Sequence, residues 1–230
     1  MVQKRLEETL GEIERAAASI GRAPSSIQLM AVSKTHPYEE ILELFGCGQF
    51  LFGENRVQEV VEKFSSPRPE GMRVHLIGHL QSNKVKKIVG LVDAIDSVDS
   101  LKVASKISEA SLALNKRMPI LLQYNTSEED SKSGFENEAS LYEALDSIAQ
   151  LQGVTVRGLM TIGPLHGGEE ETRKAFSLLR ALQDSCISRY PHLDFSTLSM
   201  GMSGDFPLAI REGATMVRVG TRLFGKREYL

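Results

Sequence analysis

The stretch MAVSKTHP, Met30 to Pro37, is an apolar run that ends on a lysine where the hydrophobic pattern stops. Short and nearly continuous, it reads as a strand buried on both faces, not as one side of an amphipathic helix. Alternation sets Met30, Val32 and Lys34 on one face of that strand and Leu29, Ala31 and Ser33 on the other. A lysine at the end of such a strand is partly desolvated. Against the ordinary reading of a solvated surface group, desolvation there would lower the pKa of its amine and make it a usable nucleophile, able to form Schiff bases.

Similar runs recur outward from this one. Strands are expected at Leu29–Ser33, Gln49–Phe52, Arg73–Ile77, Ala94–Val98, Ile120–Tyr124, Val156–Met160, Ser196–Ser199 and Met216–Val219. Helical spacing fills the intervals at Tyr38–Phe45, Asn55–Phe64, Asn83–Val89, Ser100–Leu114, Glu138–Leu151, Glu169–Ser188 and Asp205–Glu212. Ahead of them all, Leu6, Leu10, Ile13, Ala17 and Ile20 share one helical face, and Gly21 follows as a stop. Strands separated by helix-length segments imply right-handed parallel crossovers. Eight of them close into a (β/α)8 TIM barrel, whereas losing one would leave an open doubly wound sheet. SSPRPEG (Ser65–Gly71) and TIGPLHGGEEE (Thr161–Glu171) read as loops, not linkers. Residues 1–230 are therefore expected to form a single α/β domain, a barrel preceded by an N-terminal helix.

Composition narrows the classes further. A chain of 230 residues, 41% hydrophobic and 25% charged, can bury a sizeable core. A net charge of −3 provides no overall positive field for nucleic acid or an anionic membrane, so neither is an expected partner. Cys47 and Cys186 lie far apart in no ligand-like spacing, which argues against a disulfide framework or a cysteine metal site. The first twenty residues carry charges throughout and lack the apolar centre of a secretory signal. No run approaches membrane-spanning length. A cytoplasmic, reducing location is the expectation.

In a barrel, chemistry comes from the C-terminal ends of the strands, so Lys34 would stand at the mouth if Val32 points inward. The last two strands lead into LSMGMSGDFP (Leu198–Pro207) and MVRVGTRLFG (Met216–Gly225). In the first, Ser203 can N-cap a helix holding Asp205 and Pro207, while Gly201 and Gly204 let the backbone approach a ligand. In the second, Gly220 and Thr221 offer backbone N–H groups and a hydroxyl. Helix N-termini bind anions, and barrels often take phosphate in the loops after strands seven and eight. Alternation also sends Arg218 inward with Met216 and Gly220. A buried guanidinium needs a partner, which would be either a strand-end carboxylate such as Asp96 or an acceptor on a ligand.

Taken in order, AVSKTHP, FGENRVQE, HLIGHLQSNK, SVDS, SKSGF, GLMTIG, LSMGMSGD and VRVGTRLFG resemble the pyridoxal-phosphate homeostasis family, whose barrel is similar to the N-terminal domain of alanine racemase. The resemblance implies that Lys34 holds pyridoxal 5′-phosphate (PLP) as a Schiff base. It also implies that Ser203, Gly220 and Thr221 hold the phosphate, that Arg218 faces the pyridine nitrogen, and that Asn55, His79 and Met200 line the cofactor. An arginine acting only as a donor leaves that nitrogen unprotonated and weakens carbanion chemistry. The chain also ends about ten residues after the eighth expected strand, with no room for the second racemase domain and its acid–base tyrosine, and neither Tyr124 nor Tyr142 matches that residue. The expectation is a non-catalytic, monomeric PLP protein that maintains vitamin B6 levels and supplies PLP-dependent apoenzymes. A PLP-dependent amino-acid racemase is the alternative, and a cofactor-free Schiff-base aldolase a third reading.

Other constellations carry less. His75 and His79 in HLIGH sit i, i+4 on a strand and turn with no obvious third ligand, so no metal is expected. His36, His166 and His192 read as loop residues, and Lys84, Lys86 and Lys87 as a solvated helix face. SEEDSKSGF (Ser127–Phe135) reads as a polar loop over the mouth, hinged at Gly134.

Overall fold

The computed structural model describes residues 2–127, 133–164, 166 and 168–225. Its strands are β1 (Gln28–Val32), β2 (Leu51–Glu54), β3 (Arg73–Leu76), β4 (Ala94–Val98), β5 (Met118–Gln123), β6 (Val154–Met160), β7 (Thr197–Ser199) and β8 (Met216–Val219). Each pairs in parallel with its sequence neighbour, and β1 returns to β8 through Gln28↔Met216, Leu29↔Val217, Met30↔Arg218 and Ala31↔Val219. The sheet is a closed barrel, not an open one. Outside it run α2 (Tyr38–Gly46), α3 (Val57–Phe64), α4 (Val85–Ile88), α5 (Leu101–Leu112), α6 (Glu138–Ile148), α7 (Gly168–Arg189) and α8 (Phe206–Arg211). Helix α1 (Val2–Ala18) precedes them and α9 (Thr221–Phe224) follows.

Strand alternation sorts the apolar residues into two layers. Leu29, Ala31, Phe52, Val217 and Val219 face the helices in the large core, while Met30, Val32, Leu51, Ile77 and Met216 form a smaller cluster inside the barrel. Gly53 makes room for that inner cluster, since a Cβ there would lie 2.6 Å from the Met30 sulfur. Below the cluster, Gln28, His75, Asp96, Thr197 and Met216 surround a small floor cavity of about 100 Å³. Above it the interior turns polar toward the C-terminal ends of the strands.

Several element ends differ from the sequence expectation. The buried face of α1 is Val2, Leu6, Thr9, Ile13, Ala16 and Ala17; Leu10 and Ile20 lie outside it, at 41% and 39% exposed, because the stripe follows a 3.6-residue period a little rotated from the expected one. Strand β2 starts two residues late because Gln49 turns its amide back onto the Leu29 and Leu51 carbonyls (2.8 and 2.6 Å). Ser203 is not the cap of α8. Asp205 occupies that position, its Oδ1 accepting the Met202 N–H at 2.5 Å. The expected helix Asn83–Val89 is a 3-10 turn at Ser82–Lys84 followed by the single turn of α4.

Candidate functional site

The C-terminal strand ends surround a cavity of about 410 Å³. Lys34 enters it two residues after β1, with Val32 and Ile77 of the inner apolar cluster beside it. Asn55 comes from the end of β2, Ile162 from beyond β6, Met202, Ser203 and Gly204 from beyond β7, and Arg218, Gly220 and Thr221 from β8 and its exit. A Cβ on Gly78 would sit 2.0 Å from the Asn55 carbonyl oxygen, so the turn after β3 packs directly onto the Asn55 backbone.

Arg218 is 4% exposed. It does not pair with Asp96, which is instead bonded to His75 (Nδ1 to Oδ2, 3.0 Å). Its guanidinium donates to Ser199 Oγ and to the Thr161 carbonyl, each at 2.7 Å. Thr161 is itself fixed, its hydroxyl donating to the Tyr124 carbonyl (2.8 Å) and meeting Thr126 Oγ1 (2.9 Å). Burial pushes the Arg218 pKa down to about 10, opposed by the fields of Asp96 and Asp205. The group therefore stays cationic near neutrality and can only donate. Asp205 is partly buried, and that desolvation raises its pKa against the pull of the Met202 N–H and Arg218.

On the opposite wall, Ser203 Oγ accepts the Gly220 N–H at 3.2 Å, tying the loop after β7 to the exit of β8. That bond uses an oxygen lone pair and leaves the hydroxyl proton for a ligand. The first turn of α9 begins at Thr221, beside this link.

Six of the expected residues thus meet at one cavity: Lys34, Asn55, Ser203, Arg218, Gly220 and Thr221. Two do not line it. Met200 is fully buried in the outer apolar layer because alternation along β7 turns Ser199, not its neighbours, toward Arg218. His79 sits at the rim, more than half exposed, bonded through Nδ1 to Asp99 (3.0 Å) and Ser133 (3.2 Å). His75 and His79 serve separate aspartates and do not converge. No described group of three His, Cys, Asp or Glu could hold a metal ion. Residues 128–132 of the expected polar loop lie outside the described residues.

His36 lines the cavity and was read only as a loop residue. Its ring stacks on Phe224 (4.6 Å between centroids) and its Nδ1 meets Glu40 Oε2 at 2.9 Å. The i, i+4 spacing of His36 and Glu40 was the available signal. Met202 and Ile162 were also missed as lining residues.

A profile of the alanine racemase N-terminal domain matches residues 10–228, so the fold and its mouth define a barrel of the racemase class. A relative in Vibrio cholerae, described as a pyridoxal phosphate homeostasis protein, is 42% identical over 99% of this chain and 97% of its own. The solved structure of PipY from Synechococcus elongatus without PLP is similar with a TM-score of 0.86 at 40% identity, covering 98% of this chain and all of that one. PipY with PLP bound matches with a TM-score of 0.83 at 39% identity over the same shares. The chain belongs to the pyridoxal phosphate homeostasis protein family.

Proposed function

We propose that this chain binds PLP at the barrel mouth and serves to hold and supply the cofactor instead of turning over a substrate. The observation that carries the reading is one cavity in which a strand-end amine, a buried guanidinium and a hydroxyl-and-glycine wall face each other. These groups match the parts of PLP: an aldehyde for Lys34, a ring nitrogen acceptor for Arg218, and a phosphate for Ser203, Gly220 and Thr221. PLP bound in the similar PipY structure supports the match.

When bound, such a cofactor supplies an aldehyde that condenses with a primary amine, forming a C=N bond and releasing one water. Lys34 provides that amine. Ser203, its oxygen held by the Gly220 N–H, would have its hydroxyl proton free to donate to the phosphate. Arg218, fixed by Ser199 and Thr161, is a donor that would face the ring nitrogen and, able only to donate, would leave it unprotonated. Asn55 and His36 close the sides. No tyrosine is among the described residues lining the cavity, which supports a holding role over racemisation. A cytoplasmic monomer that passes PLP to apoenzymes belongs to the same reading.

The test is an absorption spectrum of the purified protein loaded with PLP, before and after borohydride. A visible band that bleaches, with the reduced label mapped to Lys34, is expected. Lys34→Ala should lose the label and keep weaker, phosphate-driven binding. Turnover of an amino acid by loaded protein at about 1 per second or more, seen as deuterium wash-in at the α-carbon, would overturn it.

A further inference from the structure

Charges that play no part in lining the cavity anchor the strand end behind Lys34. Glu54, the last residue of β2, is fully buried. Its Oε1 accepts from Ser33 Oγ at 2.7 Å and from Lys63 Nζ at 2.8 Å, and its Oε2 has no hydrogen-bond partner among the described residues. Lys63, on α3, has a side chain only 8% exposed. Its ammonium donates to Glu54, to Glu59 Oε2 (2.8 Å) and to the Ser33 carbonyl (3.0 Å). Glu59 Oε2 in turn accepts the backbone N–H of Thr35 at 2.7 Å.

Both neighbours of Lys34 are therefore gripped, Ser33 by its hydroxyl and carbonyl and Thr35 by its amide. Thr35 stands at φ 66°, the left-handed region that a β-branched residue strongly disfavours. A glycine would take that turn without strain but would leave the lysine loosely aimed. Apolar residues could fill the space behind β1 at less desolvation cost, so the charges call for an account other than stability.

We infer that Glu54, Lys63 and Glu59 form a positioning clamp that holds Thr35 in its left-handed turn and so presents the Lys34 amine to the cavity. The inference rests on the PLP reading above. The carboxylates share one ammonium but their pKa values move in opposite directions. Burial raises the pKa of Glu54 against the pull of Lys63 and Ser33; burial also acts on Glu59, but Lys63 and the Thr35 N–H outweigh it and lower its pKa. Glu59 thus links the Lys63 ammonium to the Thr35 amide, and Glu54 is the buried seat for Lys63.

A clamp acting on the amine predicts coupling between Glu59 and Lys34. PLP binding to the full chain is measured by calorimetry for wild type, E59A, K34A and E59A/K34A, with borohydride-trapped label as a second readout and the melting curve of the ligand-free protein as a check on folding. E59A should bind about tenfold more weakly and trap less label at subsaturating PLP. E59A/K34A should bind as K34A does. E59Q, which keeps an oxygen for the Thr35 N–H, should stay within about threefold of wild type. The inference is overturned if E59A binds and traps label like wild type, or if E59A weakens binding equally with and without Lys34. Failure of the PLP reading itself would look different: wild type would then give no label at Lys34.

Discussion

The two sides of the barrel mouth are built on opposite plans. Under the end of β1, two carboxylates and an ammonium are packed around a threonine in a conformation that L-residues avoid. Across the cavity, the ends of β7 and β8 carry neutral hydroxyls and glycines, linked by the Ser203–Gly220 hydrogen bond. On the PLP reading proposed above, the difference follows from what each side would hold. An amine that is to form a covalent bond has to be aimed, and aim requires groups that resist displacement. A phosphate spreads its charge over several oxygens and asks mainly for backbone that can come close and donate.

The largest effect expected from this contrast is on stability. Lys63→Met removes the ammonium shared by Glu54, Glu59 and the Ser33 carbonyl and should cost about 3 kcal/mol in urea unfolding, with part of the loss recovered in Glu54→Gln/Lys63→Met. Ser203→Ala, on the other side, should cost only about 1 kcal/mol, because it removes one neutral hydrogen bond beside partly exposed backbone. Equal losses from K63M and S203A would break the contrast. For ligand affinity, Ser203→Ala should weaken PLP binding about tenfold in titrations, and do so equally with and without Lys34, since it acts on the phosphate.

The smallest effect expected is on the pH dependence of melting. The pKa of Glu59 is lowered in the folded protein, so its contribution to stability is complete above the ordinary carboxylate range and is lost as the pH falls through the lowered value. Glu54, with a raised pKa, works in the opposite sense and favours the fold while protonated. Melting temperatures recorded from pH 7 downward should therefore fall less steeply in E59A than in wild type. An E59A curve parallel to that of wild type would mean that Glu59 does not carry the acid loss of stability.

Much of the architecture could be read from the chain because its strands are short apolar runs and their separation forces parallel crossovers. The inward lysine and arginine followed from alternation along β1 and β8, where two-residue periodicity held over the whole strand. Met200 came from the family resemblance alone, and along β7, a strand of three residues, the same alternation turns Ser199 toward Arg218 and leaves Met200 in the outer layer. Ser203 was misread for a different reason. A serine followed by aspartate and proline carries a local capping signal, but the partner of this hydroxyl is an amide on another strand. The clamp left no trace in the pattern, since Glu59 and Lys63 look like an ordinary i, i+4 pair on a solvated helix. Only the fold brings them under Ser33 and Thr35.

Helix α1 stands outside the strand–helix repeat, yet it packs on α8 and α9, and Arg5 donates to the Phe224 carbonyl at 2.7 Å. Phe224 in turn stacks on His36 at the cavity wall. The helix therefore works as a buttress for the cavity corner formed by α9 and His36, although none of its own residues lines the cavity. A miniaturised version pared down to the eight repeats would keep every ligand-facing side chain and still begin with that corner unsupported.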